Sequence, residues 1–251
     1  MHQAVSPPKF CPMETTKKDS ETEREKTFVC EKTGREFTGS QVLFGNEWFP
    51  NHRFHPDIVE KEAKEWEEND RKEKKRQRIG KIMAQWEDYC PPIMKNTDVE
   101  RLPKEPYKKA MGWKYGAKGM IFHGATGKGK TRTLWRFLHR LSEDGMNWRY
   151  FATKKLAQAM SYDFGKKRPE LLRQCIGATV LCLDDLGKEH ANPQWEADIF
   201  EIIDTRTNHE RPTIITTNFT GTKLIGKFKD NEMATALVRR LQEFFISIPF
   251  K

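Results

Sequence analysis

The sequence predicts an α/β fold, a parallel sheet covered by helices on both faces, preceded by a small module and a long charged helix. Three observations predict it. From residue 114 to residue 251 short apolar runs alternate with segments of helical spacing. The runs are nearly continuous in apolar residues, as strands covered on both faces must be. A glycine-rich string, Gly124-Ala125-Thr126-Gly127-Lys128-Gly129-Lys130-Thr131, stands between one such run and one such helix.

In chain order, residues 1–26 carry Pro7, Pro8 and Pro12 and a charged run from Glu14 to Lys26. They hold little apolar surface to bury and are expected to form a disordered arm. Residues 27–56 have a different texture. Phe28, Val29, Phe37, Val42, Leu43, Phe44, Trp48, Phe49 and Phe54 interleave with Gly34, Gly39 and Gly45, which predicts a short module with a β-hairpin. So small a module holds together poorly on apolar burial alone, and a metal is one remedy. Cys30 opens a knuckle-like turn whose second cysteine is missing, and His52 and His55 have the spacing of a ligand pair. Cys30, His52 and His55 make three zinc ligands where a structural site takes four, and Cys11 joins them only if the arm folds back. A metal-free relic of such a knuckle is the preferred reading.

Residues 57–88 lack Gly and Pro apart from Gly80 and predict one long helix started by Pro56-Asp57. Acids dominate 60–70 and bases 71–81, an order that complements the helix dipole. The sparse apolar residues Ile58, Ala63, Trp66, Ile79, Ile82, Met83 and Trp86 describe a helix that bridges two domains or lies on a partner. Arg71, Lys72, Lys74, Lys75, Arg76, Arg78 and Lys81 suit solvent or nucleic-acid phosphates equally well. Cys90-Pro91-Pro92 ends the helix. Residues 89–113, with Pro91, Pro92, Pro103 and Pro106, read as a linker with a short helix at 107–113.

The core, residues 114–251, then alternates. Strands are expected at 120–123, 148–152, 179–183, 212–217 and 244–248. Helices are expected at 132–141, 153–160 (capped by Thr153), 169–175, 195–210 and 233–241. Ligands bind such sheets at the carboxyl ends of the strands. The glycine loop, Asp184-Asp185 and Asn218 all fall there.

Composition adds bounds. The formal net charge of +9 favours polyanionic partners such as nucleic acid, or serves solubility alone. Cys11, Cys30, Cys90, Cys175 and Cys182 are odd in number and irregular in spacing, which argues for reduced thiols. With no apolar leader and no run long enough to span a bilayer, a cytoplasmic protein without membrane contact is expected.

The chemistry follows from residue types. G-x-x-x-x-G-K-T is a phosphate-binding loop: glycines let backbone N–H groups approach a polyphosphate, and the helix N-terminus adds partial positive charge. Gly124, Ala125, Thr126, Gly127, Lys128, Gly129, Lys130, Thr131 and Arg132 are the nucleotide-binding candidates. Lys130 suits the β- and γ-phosphates, Thr131 and Asp184 suit Mg²⁺, and Asp185 suits the attacking water, with Glu189 as the runner-up base. Asn218 suits the γ-phosphate or that water. Arg239 and Arg240 lie on a helix and are indistinguishable by spacing from surface arginines.

Assembled, the core resembles the helicase-loader branch of the AAA+ ATPases, the DnaC and DnaI type, with IstB-like transposition helpers as relatives. The strings that carry the resemblance are Gly124 to Thr131, Leu183-Asp-Asp-Leu-Gly-Lys-Glu189, Ile199 to Asp204 with Arg206, Arg211-Pro-Thr-Ile-Ile-Thr-Thr-Asn218 and Arg239-Arg-Leu241. They span little more than the C-terminal half. The resemblance implies a three-layer P-loop NTPase sheet of the ASCE/AAA+ type. It also implies ATP and Mg²⁺ at the interfaces of a homo-oligomer, and delivery of a hexameric, DnaB-like replicative helicase onto single-stranded DNA. It gives Lys130 and Thr131 the Walker A roles, Asp184 and Asp185 the Walker B roles, Asn218 the sensor-1 role and Arg240, or else Arg239, the arginine finger. In loaders the N-terminal domain grips the helicase, which makes residues 27–88 the candidate partner-binding region. Asp185 stands where many relatives have Glu, as is common in this branch. An end at Lys251 leaves no room for a helical lid, which implies weak or partner-stimulated hydrolysis. A transposition helper on double-stranded DNA and a nucleotide-switched adaptor with little turnover are the alternative readings. A small-molecule kinase is remote, because no acceptor-binding insert is evident.

Overall fold

The computed structural model describes residues 23–44, 47–50, 54–116, 118–162, 166–189 and 192–251. Contacts divide the chain into two units, Met1–Glu73 and Lys74–Lys251.

In the first unit an antiparallel sheet is built from β1 (Glu23–Val29), β2 (Glu36–Phe44) and β3 (Glu47–Pro50). Phe28 pairs with Phe37 across β1 and β2, with ring centroids 5.8 Å apart, and the edge of His55 meets Phe37. β1 starts at Glu23, inside the stretch expected as a disordered arm. The reason is that its backbone pairs with Ser40, Gln41 and Val42, a ladder that needs no apolar side chains from Glu25 and Lys26. The turn after β1 is closed by Cys30, whose N–H donates to Arg35 O and whose carbonyl accepts from Gly34 N–H, both at 2.8 Å. The Thr33 hydroxyl and the His55 amide hold the Cys30 thiol down to about 7. His52 and Cys11 lie outside the described residues. Among the described residues no three His, Cys, Asp or Glu side chains gather as a metal set.

Helix α1 (Pro56–Tyr89) crosses the boundary, and its second half belongs to the larger unit. There follow α2 (Pro92–Lys95), a 3-10 turn (Val99–Arg101) and α3 (Lys104–Met111). This region was expected to be a linker. It is instead part of the core: Cys90, Ala110 and Trp113 are buried among residues of the sheet, together with Trp86 of α1. The indole of Trp86 donates to Trp135 O at 3.1 Å, and Gln85 donates to Trp148 O at 3.1 Å. The prolines punctuate short helices rather than an extended spacer.

The sheet follows as β4 (Gly119–Gly124), β5 (Trp148–Ala152), β6 (Val180–Leu186), β7 (Thr213–Thr217) and β8 (Phe245–Phe250), in the spatial order β5-β6-β7-β4-β8, all parallel. The connecting helices are α4 (Lys130–Glu143), α5 (Thr153–Ser161), α6 (Arg168–Gly177), α7 (Pro193–Asn208), α8 (Thr222–Ile225) and α9 (Asn231–Phe244). Strand periodicity sorts the core into two layers. Met120, Phe122, Val180, Cys182 and Ile214 face the layer with α4 and the end of α1. Ile121, Leu181, Leu183 and Ile215 face the layer with α5, α7 and α9. Arg206 of α7 is fully buried. It donates to Cys175 O, Ala178 O and Thr213 Oγ1, each at 2.8 Å, and to Ile176 O and Pro212 O. It thereby ties the starts of β6 and β7 together. Burial, then Arg211, lowers its guanidinium to about 10. Among the described residues no helix is long and apolar enough to cross a membrane.

Candidate nucleotide site

The order β6-β7-β4 sets three strand ends side by side, and with them Gly124, Asp184-Asp185 and Asn218. Gly124 ends β4 at φ +139°, where an added Cβ would come within 2.0 Å of Phe250 O, so only glycine lets the loop leave the strand here. Gly127 and Gly129 have φ +82° and +86°, and α4 begins directly at Lys130. Its first N–H groups therefore open toward the loop, the arrangement that suits an anion.

Lys130 is buried. Its ammonium bends back to donate to Gly124 O and Ala125 O, both at 2.8 Å, which sets its charge at the mouth of the loop. Burial lowers its pKa, a shift that the nearby Asp185 opposes. Asp184 is 4% exposed. Its Oδ1 accepts from Thr131 Oγ1 at 3.1 Å and from the Thr216 hydroxyl, and its Oδ2 accepts from Tyr150 OH at 2.9 Å. Burial raises its pKa against the hydrogen bond from Thr216. Tyr150 is raised too, by its own burial and then by Asp184.

Asp185 has φ +64°, rare for a residue with a Cβ, and the turn is held by its N–H donating to Thr216 Oγ1 at 2.8 Å. Its carboxylate pairs with Lys188 at 2.9 Å. Asn218 donates to Thr126 Oγ1 at 3.0 Å, which joins the end of β7 to the glycine loop. Arg132 donates to Ile93 O at 3.1 Å.

A cleft of about 610 Å³ gathers Thr126 to Arg132, Asp185, Lys188 and Asn218 on one side, with Asp98, Leu102 and Pro103 on the other. The Thr131 hydroxyl and the Asp184 carboxylate beneath the loop are the hard oxygen donors that Mg²⁺ takes beside substrate phosphates, so the residues present fit the ion.

Not every expectation gathers here. Glu189, the runner-up base, is taken up by Gly187 N–H, Trp195 Nε1 at 3.0 Å and Thr153 Oγ1 at 2.9 Å. Thr153 was expected to cap its own helix. Its hydroxyl instead crosses to Asp185 O and Glu189, and Ala152 occupies the cap position. Arg240 lies on α9, paired with Asp204 and 3.4 Å from Asn208 Oδ1. With Arg239 it lines a separate cavity of about 710 Å³ beside Phe200 and Glu243.

Sequence reasoning missed Tyr150, Thr216 and Lys188, and the wall from Asp98 to Pro103. The available signal was the hydroxyls of two strands, Tyr150 in Trp148-Arg-Tyr-Phe-Ala152 and the threonines of Thr213-Ile-Ile-Thr-Thr217, next to the strand that ends in carboxylates.

Comparison with known proteins places this geometry. Residues 55–247 match the family described as IstB-like ATP binding protein. An ATP-binding protein of an insertion sequence in Mycobacterium tuberculosis is 25% identical over 133 residues, covering 53% of this chain and 53% of that protein. The chain thus spans about half the length of the curated relative it matches. Among solved structures, DnaI superposes with a TM-score of 0.55 at 18% identity, over 65% of this chain and 95% of that one. A replication initiator DnaA bound to AMPPCP and single-stranded DNA superposes with a TM-score of 0.51 at 23% identity, over 64% and 51%. At such identities the likeness is one of fold, a P-loop NTPase-like parallel sheet flanked by helices.

Proposed function

The chain belongs to the IstB-like ATP-binding protein family, and from that premise we propose that it is an ATPase whose nucleotide state times its grip on DNA and on a protein partner. The observation that carries the reading is the hydroxyl network under the glycine loop, in which Asp184 accepts from Thr131, Tyr150 and Thr216. A buried carboxylate held in this way beneath the loop supports the reading that Asp184 would take part in holding phosphate-bound Mg²⁺, as in P-loop enzymes.

Each residue then has a task. The loop N–H groups and Lys130 bind the polyphosphate of ATP. Thr131 and Asp184 would hold Mg²⁺, which would supply positive charge to offset that of the phosphates. Asp185, kept at the cleft edge by Lys188, orients the attacking water, and Asn218 fixes the γ-phosphate from the Thr126 side. Arg240 leaves Asp204 to reach the nucleotide of a neighbouring copy, which makes the working form a homo-oligomer.

For the partner, the sequence strings favour delivery of a replicative helicase onto single-stranded DNA. A second reading, a transposition helper on double-stranded DNA, is favoured by the family match and by the insertion-sequence relative. Both predict Mg²⁺-dependent ATP hydrolysis that DNA or partner stimulates. They separate in a pull-down with ATP and Mg²⁺ present. Capture of the hexameric helicase supports loading, and capture of a transposase encoded beside the chain supports the helper. Capture of neither, with no hydrolysis on DNA, would sink the proposal. An adaptor that only binds ATP would keep its partner when Asp185 is changed to Asn.

A further inference from the structure

The charges on the second unit are uneven. Residues 104–118 hold five lysines, Lys104, Lys108, Lys109, Lys114 and Lys118, and one acid, Glu105. This short stretch supplies +4 of a net charge of +9. All five lysines are exposed, and among the described residues none has an ion-pair or side-chain hydrogen-bond partner. The basic half of α1, which the sequence brought forward for phosphate contact, is engaged in part: Lys72 pairs with Glu68 at 2.6 Å and Lys74 and Arg76 have partners, whereas Arg71, Lys75, Arg78 and Lys81 have no ion-pair or side-chain hydrogen-bond partner among the described residues.

The lysines are also rigidly presented. Arg140 donates to Met111 O and, at 2.8 Å, to Trp113 O. Trp113, 5% exposed and packed on Phe137, donates from its indole to Lys118 O at 3.0 Å. The carbonyls of Met111, Trp113 and Lys118, which flank the exposed lysines, are thus each held by a side chain. Between them stands Tyr115, 51% exposed, its ring edge-on to Trp113. On α3, Lys104 and Lys108 share a face one helical turn apart. Pro103, which starts α3, also lines the nucleotide cleft.

We propose that α3 and the turn after it form a docking surface for the phosphate backbone of single-stranded DNA, with Tyr115 as a stacking platform for an unpaired base. Unpaired lysines read phosphate without sequence, and an exposed ring among them suits a strand whose bases are free. The inference rests on the reading that the protein engages DNA, and names where it does so.

The test is fluorescence anisotropy of a labelled oligothymidylate against the full chain, with ATP and Mg²⁺, over a salt series. Lys108→Gln/Lys109→Gln/Lys114→Gln/Lys118→Gln is expected to bind at least about tenfold more weakly at low salt. Its log–log salt slope is expected to be smaller by about 2–3, from four contacts at about 0.7 each. Tyr115→Ala is expected to weaken binding about fivefold or more with the slope unchanged. Binding of a fluorescent ATP analogue, unchanged in both variants, certifies the fold. An unchanged affinity or slope in the quadruple variant overturns the surface while leaving the DNA-engaging reading intact. A wild-type chain that binds no single-stranded DNA overturns both.

Discussion

Thr216→Val tests the hydroxyl network without changing side-chain shape. Thr216 is fully buried at the end of β7. Its oxygen does two things: it donates to Asp184 Oδ1 and accepts the N–H of Asp185 at 2.8 Å. Valine removes both. A hydrogen bond to a charged group contributes about 1.5–3 kcal/mol, and a buried N–H left unpaired costs about 1–3 kcal/mol. Partial relaxation of the turn at Asp185 reduces the sum, so the expected loss is about 2–4 kcal/mol. For a unit of this size that lowers Tm by roughly 5–15 °C. The pH dependence has a definite sign. Burial already raises Asp184 above its ordinary value of 3.8, so the neutral acid is the form the fold prefers. The stability it contributes is complete below the unfolded pKa and is lost as pH rises through the folded one. Losing the Thr216 donor raises the folded pKa further, so the deficit of the variant grows as pH rises through the folded pKa of the wild type and then that of the variant. Urea unfolding followed by tryptophan fluorescence reads both effects, with Thr216→Ser as the control that keeps the hydroxyl. A valine variant as stable as the serine variant at neutral pH refutes the reasoning.

Three further outcomes follow from the same geometry. Tyr150→Phe removes the donor to Asp184 Oδ2 but keeps the ring on Trp135, 4.5 Å away. The concentration of Mg²⁺ that half-saturates binding of an ATP analogue should rise about threefold or more, from a lost bond of about 1 kcal/mol, with Tm little changed. Arg206→Met leaves Cys175 O, Ala178 O and Thr213 Oγ1 without their donor, while Ile176 O keeps the Arg211 guanidinium and Pro212 O keeps the Leu181 N–H. At about 1–3 kcal/mol each this approaches the whole stability of a domain, so the variant should be insoluble or unfolded by circular dichroism. Arg240→Ala should leave nucleotide affinity of the isolated chain within about twofold yet lower hydrolysis by about 10³ or more in the assembled state, if the arginine acts in trans.

What the sequence made legible was local. The glycine loop, the paired aspartates and Asn218 each announce themselves within one strand end, and the alternation of apolar runs with helical spacing was enough for a parallel sheet. What it hid depends on partners distant in the chain. Tyr150 and Thr216 matter because β5, β6 and β7 lie side by side, a fact of strand order that no spacing reveals. The prolines of residues 89–113 argue for a spacer, but Cys90, Ala110 and Trp113 find apolar partners on the sheet and pull the segment into the core. β1 opens on Glu-Arg-Glu-Lys, charged residues that say arm, while the ladder to β2 uses only their backbone. Arg206 entered only as part of the string that carries the resemblance, and its burial among five acceptors is visible only once β6 and β7 are in place.

The edge formed by Gly124 to Thr131, Asp184 and Asn218 is proposed as an ATP site assembled on Lys130. Equilibrium titration of the full chain with a fluorescent ATP analogue and Mg²⁺, repeated with Lys130→Ala, tests it most directly. The wild type is expected to show saturable, Mg²⁺-strengthened binding and the variant a loss of about 100-fold or more, as befits removal of a buried charge from a phosphate contact. Equal binding by the two proteins, or none by the wild type, would contradict it.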